Sequence, residues 1–335
     1  MPSALDQLIA NGLDAVVGEG KTFQLGSIES RGQSMPVIAN APPSLPFYFA
    51  HFCAAHADTT FLVDGDERLS FAEVYAHAGQ VARALVDGFG VQKGDRIGIA
   101  MRNAPSWVVT YMGAIMAGGV ATLLNGWWQG GELVDGIRDA GCTIVLADKQ
   151  RAERIGQSDE PHGAKIIAID VAAPIAAAMR PITDAGGDSE TALPMMLGDD
   201  LATILFTSGS TGQSKGAYST HRAVVQGTFN YIVQTATILH VLTSTGNAPA
   251  GQASTLLNVP LFHVTGEVPV FLQSFAIGRK LVMMPKWDAE EAMRLIEAEK
   301  ITYFVGVPLM SYEMLIHPNH DKYDLSSCKS FAAGG

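Results

Sequence analysis

The sequence predicts an α/β protein with mostly parallel sheets covered by helices, on three observations. Over residues 96–147 the spacing of apolar residues switches repeatedly between a strand period and a helix period. From Thr203 onward the same alternation returns in a different sequence. Hydrophobic residues make up 47% of the 335, enough for an extensive core. Strands joined through helices run parallel and need helical cover on both faces.

Taken in order, residues 1–41 carry weak periodicity and several glycines, and read as an irregular lead-in with one short helix. Residues 61–71 place Asp64-Gly65 between two apolar runs, a hairpin signal. The helix after it starts on Ser70 and Glu73, which have capping-box spacing, and lines Phe71, Val74, Ala78, Val81 and Leu85 along one face. Strands at 96–100, 120–124 and 143–147 alternate with helices at 106–116 and 132–140, and 165–169 adds a further strand. The Gly-, Asp- and Pro-containing stretch 181–194 reads as a linker between a first subdomain, 42–195, and a second, 196–335. In the second, strands at 203–206, 255–259, 280–284 and 301–305 alternate with helices at 222–242 and 267–276 and a helix capped by Asp288 and Glu291. Pro308 opens one more helix. A chain that ends on Gly334-Gly335 with no closing element reads as cut.

Composition excludes several classes. With 22 Lys+Arg against 33 Asp+Glu the formal charge is −11, which repels a phosphate backbone and argues against nucleic acid as a partner. Cys53, Cys142 and Cys328 have no metal-ligand spacing, and an odd count suits a reducing cytoplasm better than a disulfide framework. The first residues have an early Asp6 and no basic segment, so they do not read as an export signal. Residues 103–131 lack charge for a membrane-spanning length, but Pro105 and Gly118-Gly119 divide them into a helix and a strand. An integral span is therefore not expected, while peripheral membrane contact and a homodimer are left open.

The chemistry is concentrated in residues 204–217, ILFTSGSTGQSKGA, where an apolar strand runs into Thr207, Ser208, Gly209, Ser210, Thr211 and Gly212, then Lys215. Glycines allow close backbone approach, hydroxyls and amides can turn inward on an anion, and Lys215 adds a mobile cation. Charged hydrogen bonds contribute roughly 1.5–3 kcal/mol each, so several converging here would hold a triphosphate. A Walker loop is ruled out, because Ser214 rather than Gly precedes Lys215 and Gly216 follows it. A bare Ser/Gly-rich turn is the ordinary reading of such composition; the ordered strand, T-S-G-S-T-G and K-G argue against it.

This segment resembles the phosphate loop of the acyl- and aryl-CoA synthetases, adenylation domains and luciferases, TSG[ST]TGxPKG, with Ser214 in place of the usual Pro. LSFAEV, GDRIGIAMRN, MAGGVATLLN and NVPLFHVTG stand in the family's order, so the resemblance covers the chain after about residue 41. It implies two mixed, mostly parallel sheets flanked by helices in a layered αβαβα arrangement, the family's large N-terminal domain cut short. It also implies ATP, Mg²⁺ and coenzyme A as co-substrates, and a small-molecule carboxylic acid, fatty in the preferred reading, that becomes an acyl-adenylate and then a thioester. By resemblance, residues 207–212 and Lys215 hold the departing pyrophosphate, and His263 of the FHVTG segment positions the acid or adenylate. Gly334 and Gly335 match the start of a strand whose backbone lies against adenine. No metal ligand is assigned, since the family's Mg²⁺-binding Glu, its ribose aspartate and its C-terminal lysine would all lie past Gly335; the piece alone is expected to be inactive. Trp127 and Trp128 match a turn where aromatics pack the core. Two other readings stay open: an adenylation domain that loads a carrier protein, and a truncated non-catalytic protein keeping only the nucleotide-loop fold.

Overall fold

The computed structural model describes residues 2–30, 32–207 and 214–333. The first surprise is at the start, where residues 1–41 are not irregular. Helix α1 (Ala4–Val16) begins on a capping box between Ser3 and Asp6. Strands β1 (Leu25–Ser30) and β2 (Gln33–Ile38) form an antiparallel hairpin, and α2 (Leu45–Ala55) follows. Next come β3 (Thr60–Asp64) and β4 (Glu67–Ser70), turning at Gly65 with φ +56°. Helix α3 (Phe71–Asp87) starts on the expected Ser70–Glu73 box and fully buries the five apolar residues of its inner face.

The alternation then proceeds as the apolar period predicts: β5 (Arg96–Ala100), α4 (Pro105–Met116), β6 (Val120–Leu123), α5 (Gly130–Ala140), β7 (Cys142–Asp148), α6 (Lys149–Gly156) and β8 (Lys165–Ile169). Two single-turn helices, α7 (Ile175–Ala178) and α8 (Arg180–Thr183), lead into the expected linker. The rest runs β9 (Leu201–Thr207), β10 (Lys215–Thr220), α9 (His221–Ser244), β11 (Ser254–Leu257), α10 (Val264–Gly266), α11 (Gln273–Ile277), β12 (Lys280–Met283), α12 (Ala289–Glu299), β13 (Tyr303–Gly306), α13 (Pro308–Ile316) and β14 (Ser330–Ala333). The helix expected over 267–276 begins as a π-helix, Glu267–Leu272, before α11. Pro269 inside it has no amide to give the ladder, and the Pro269 carbonyl accepts instead from Arg279 Nη1 at 3.3 Å.

Two six-stranded sheets result, in the orders β10-β9-β6-β5-β7-β8 and β14-β13-β11-β12-β3-β4. Each has five parallel strands and one antiparallel edge strand supplied by a hairpin. Sheet membership does not divide at residue 195: β9 and β10 join the sheet of the first half, and β3 and β4 join that of the second. Side-chain alternation along the strands builds the layers. Ile97, Ile99 and Leu123 of the first sheet and Leu62, Leu257 and Leu281 of the second meet α2, α3, α4 and α9 in one central core. Their neighbours Val63, Leu256 and Val282 turn the other way, onto α12 and α13, while Ala100 and Val145 turn onto α5 and α6. The order is α, β, α, β, α, the layered arrangement expected.

The three cysteines are buried and unpaired. Among the described residues no helix is long and apolar enough to cross a membrane.

Candidate active site

Parallel strands present their functional loops at the carboxyl ends, and there the two sheets meet. In the first sheet β9 ends at Thr207, and its partner β10 begins at Lys215 directly opposite. The Thr207 hydroxyl donates to the Lys215 carbonyl at 3.4 Å. Both residues are exposed, so the lysine ammonium faces outward from the mouth of a β-hairpin. Ser208, Gly209, Ser210, Thr211 and Gly212 lie outside the described residues, as do Gly334 and Gly335.

From the hairpin mouth a chain of ring contacts runs along the edge. Phe206 of β9 meets Trp128 edge-on, with centroids 5.1 Å apart. Trp128 closes the turn after β6 and is only 9% exposed, so core packing holds for this residue. It does not hold for Trp127, which is 68% exposed and stands edge-on to Phe262 at 5.2 Å. The turn points one indole inward and the next outward because its backbone is held from behind. Arg151 Nε donates to the Gly126 carbonyl at 2.8 Å and Arg154 Nη1 to the Trp128 carbonyl at 3.0 Å. Buried Asp148 fixes Arg151 through a 2.9 Å ion pair and also accepts from the Arg102 amide at 2.9 Å.

Phe262 and His263 belong to the segment between β11 and the π-helix, in the second sheet. His263 is exposed, and its Nδ1 accepts from the Thr265 amide at 3.2 Å. In the neutral ring that bond leaves the proton on Nε2. The segment folds back tightly: the Gly266 and Glu267 amides both donate to the His263 carbonyl, at 2.9 and 3.0 Å. Any side chain at Gly266 would meet the Pro260 carbonyl oxygen at 2.2 Å, so only glycine fits.

Two polar ties join this segment to the first layer. Asn103, just past β5, donates from Nδ2 to the carbonyls of Val259 at 2.7 Å and Leu257 at 3.3 Å, and its Oδ1 accepts from the Leu261 amide at 3.0 Å. Farther along, the Tyr111 hydroxyl donates to Glu267 at 2.7 Å, with both side chains buried. Burial pushes the Glu267 carboxyl up to about 7, against the lowering effect of the Tyr111 bond, and drives the Tyr111 hydroxyl well above its ordinary range. Neither Asn103 nor Glu267 was singled out from the sequence. An amide side chain within three residues of a strand's carboxyl end, as in RIGIAMRN, is the one signal that would have marked Asn103.

A cleft of about 300 Å³ lies on the outer side of the hairpin, lined by Trp128, Phe206, Ser214, Arg138 and the carboxylates Glu132, Asp135 and Asp139. Three carboxylates against one arginine make it unfavourable for a phosphate group.

The family model described as AMP-binding enzyme matches residues 49–335. The chain is similar to a feruloyl-CoA synthase of Amycolatopsis sp, 27% identical over 271 residues that cover 81% of this chain and 50% of that protein. It is similar as well to a long-chain-fatty-acid–CoA ligase of Bacillus subtilis (strain 168), 26% identical over 312 residues, 84% of this chain and 53% of that one. It thus spans about half the length of the curated relatives it matches. Among solved structures, the inhibitor-bound N-terminal domain of FACL13 from Mycobacterium tuberculosis aligns with a TM-score of 0.72 at 25% identity, covering 88% of this chain and 70% of that one. With the layered fold, the hairpin carrying Lys215 and the family pattern over residues 49–335 in agreement, the chain belongs to the AMP-binding enzyme family.

Proposed function

We propose that this chain supplies the ATP- and acid-binding part of an AMP-forming acid–CoA ligase, and that the acid is a fatty acid. One observation carries the reading. The hairpin mouth of Thr207 and Lys215 and the segment of His263 share one edge of the molecule, linked through Phe206, Trp128, Trp127 and Phe262. A triphosphate and a carboxylate need to be brought together in this way before they react.

In the reaction a carboxylate oxygen attacks the α-phosphorus of ATP, an acyl–O–P bond forms, and the bond to pyrophosphate breaks. The thiol sulfur of coenzyme A then attacks the acyl carbon, and AMP leaves with the oxygen that came from the acid. Lys215 and Thr207, with Ser208, Ser210 and Thr211, take the charge of the departing pyrophosphate, and Gly209 and Gly212 let the backbone approach it. His263 donates from Nε2 to an oxygen of the acid or adenylate. Mg²⁺ arrives with ATP and neutralises phosphate charge when bound. The acyl side is apolar: between Arg222 and Arg279 the sole charged residue is the buried Glu267, which favours a hydrocarbon acid. A cytoplasmic location is in keeping with three unpaired thiols.

ATP–pyrophosphate exchange by the protein that carries this chain, measured against fatty, aromatic and amino acids, tests the reading. Exchange driven by fatty acids is expected. Exchange with aromatic acids alone would keep the ligase and overturn the fatty substrate; exchange with amino acids alone would favour carrier-protein loading. No exchange with any acid would overturn the proposal.

A further inference from the structure

Asn103 sits where the two sheets touch, and all of its hydrogen-bonding groups are turned toward the protein. Its two amide hydrogens go to the carbonyls of Leu257 and Val259, and its oxygen takes the Leu261 amide. A carboxamide has two donors and one acceptor oxygen, so little capacity is left for a ligand. The three partners are residues 257–261, the stretch that leaves β11 and delivers Phe262 and His263 to the edge. The bonds span more than 150 positions in sequence and cross from the carboxyl end of β5 to that of β11.

Other ties on this segment hold its far end or its own shape. Tyr111 grips Glu267, four residues past His263, and Thr265 and Gly266 close the turn locally. Trp127 touches the approach only through its ring contact with Phe262, and among the described residues Asn103 alone hydrogen-bonds that approach from the layer that also carries Thr207 and Lys215. A rigid carboxamide bonded at three points fixes both the distance and the rotation of the backbone it holds. Without it the two halves of the site would keep their folds but lose their common register.

We infer that Asn103 is a positioning residue for acid activation, setting the His263 segment against the phosphate hairpin without touching either substrate. The inference rests on the acid–CoA ligase reading above. Asn103→Asp is the sharp variant, because it keeps the shape and the acceptor for Leu261 while setting a carboxylate against two carbonyl oxygens. Asn103→Ala removes all three bonds without adding charge. As a control, Arg96→Met removes bonds at the opposite end of the same strand, where Arg96 donates to the carbonyls of Gly94 and Ala140.

Initial-rate exchange kinetics are measured for the full protein that carries this chain and its three variants, with acid and ATP varied separately, alongside their melting temperatures. Both Asn103 variants are expected to lose about 100-fold in kcat/KM for the acid, since a displacement near 1 Å costs that much. Their KM for ATP should stay within about twofold of the parent, as uniform nucleotide binding is untouched. Arg96→Met should lower the melting temperature and leave the acid kinetics alone. Three results would overturn the role: parental acid kinetics in the Asn103 variants, equal losses toward acid and ATP, or the same acid defect in Arg96→Met. An inactive parent protein would instead overturn the ligase reading.

Discussion

At the scale of single residues the site divides into groups that offer themselves to solvent and groups that hold them in place. Lys215, Thr207 and His263 are exposed; Asp148, Glu267 and Gly266 are buried and do the holding. On the proposed reading Lys215 meets the departing pyrophosphate, so Lys215→Ala is expected to slow exchange about 100-fold, by analogy with the loss of one oxyanion donor. Exchange at the parental rate would remove Lys215 from the mechanism. Gly266→Ala drives a methyl into the Pro260 carbonyl and should lower stability by about 1–3 kcal/mol in urea titration, as overpacking does. The exposed groups were legible because a strand, a hydroxyl- and glycine-rich turn and a lysine form a local pattern. The holding groups were not, because Asn103 and Tyr111 act on residues more than 150 positions away and nothing local marks them. Trp127 was misjudged as core for a related reason: two adjacent tryptophans look alike in sequence, and only the grip of Arg151 and Arg154 on the turn decides which one points outward.

At the scale of elements the strands and helices of residues 96–169 follow the apolar period closely, since parallel strands buried on both faces leave little freedom of assignment. The elements that escaped are those whose burial depends on partners far away. The β1–β2 hairpin buries only Ile38, which is tied to α9 by Gln226; that side chain accepts from the Ile38 amide at 2.8 Å and donates to its carbonyl at 3.0 Å. β10 was missed because Tyr218 and its neighbours are exposed on an edge strand with no apolar alternation. Two buried titratable groups set how the packing of α4, the π-helix and α9 responds to pH. The Glu267 carboxyl is raised by burial from 4.5 to about 7, so its neutral form suits the fold. Its contribution is complete below pH 4.5 and is lost as pH rises through 7, on the order of 3 kcal/mol in all. His221, depressed by burial from 6.5 to about 4, works in the opposite sense: its contribution is complete above pH 6.5 and is lost as pH falls through 4. Between pH 4.5 and 6.5 the two trends oppose and nearly cancel, so melting temperatures of the parent should be flat there and fall only slightly on either side. Glu267→Gln should gain on the parent as pH is raised from about 5 to about 8, because the amide never ionises; a constant difference across that range would contradict the assignment.

At the scale of the whole molecule the chain laces two sheets together twice, sending β3–β4 to one and β9–β10 to the other. The layers were legible from resemblance and patterning; the exchange of hairpins was not, because apolar period reports which face a strand buries and not which sheet it joins. The N-terminal segment belongs to this assembly. Phe23 and Ile38 are buried against it, and Phe23 meets Phe229 of α9 edge-on at 6.2 Å. Deleting residues 1–41 should cost about 3–6 kcal/mol from these two side chains alone, at the usual value for burying a large apolar group. Denaturant unfolding of the shortened chain checks this, and an unchanged midpoint would mean the segment is only draped on the surface.

The central claim is that a carboxylate and the α-phosphate of ATP are joined along the edge between the Lys215 hairpin and His263. Supplying the acid with heavy oxygen in its carboxylate and analysing the products by mass spectrometry tests it most directly. One labelled oxygen in AMP and none in pyrophosphate is the result expected; label in pyrophosphate or inorganic phosphate, or release of ADP, would contradict it.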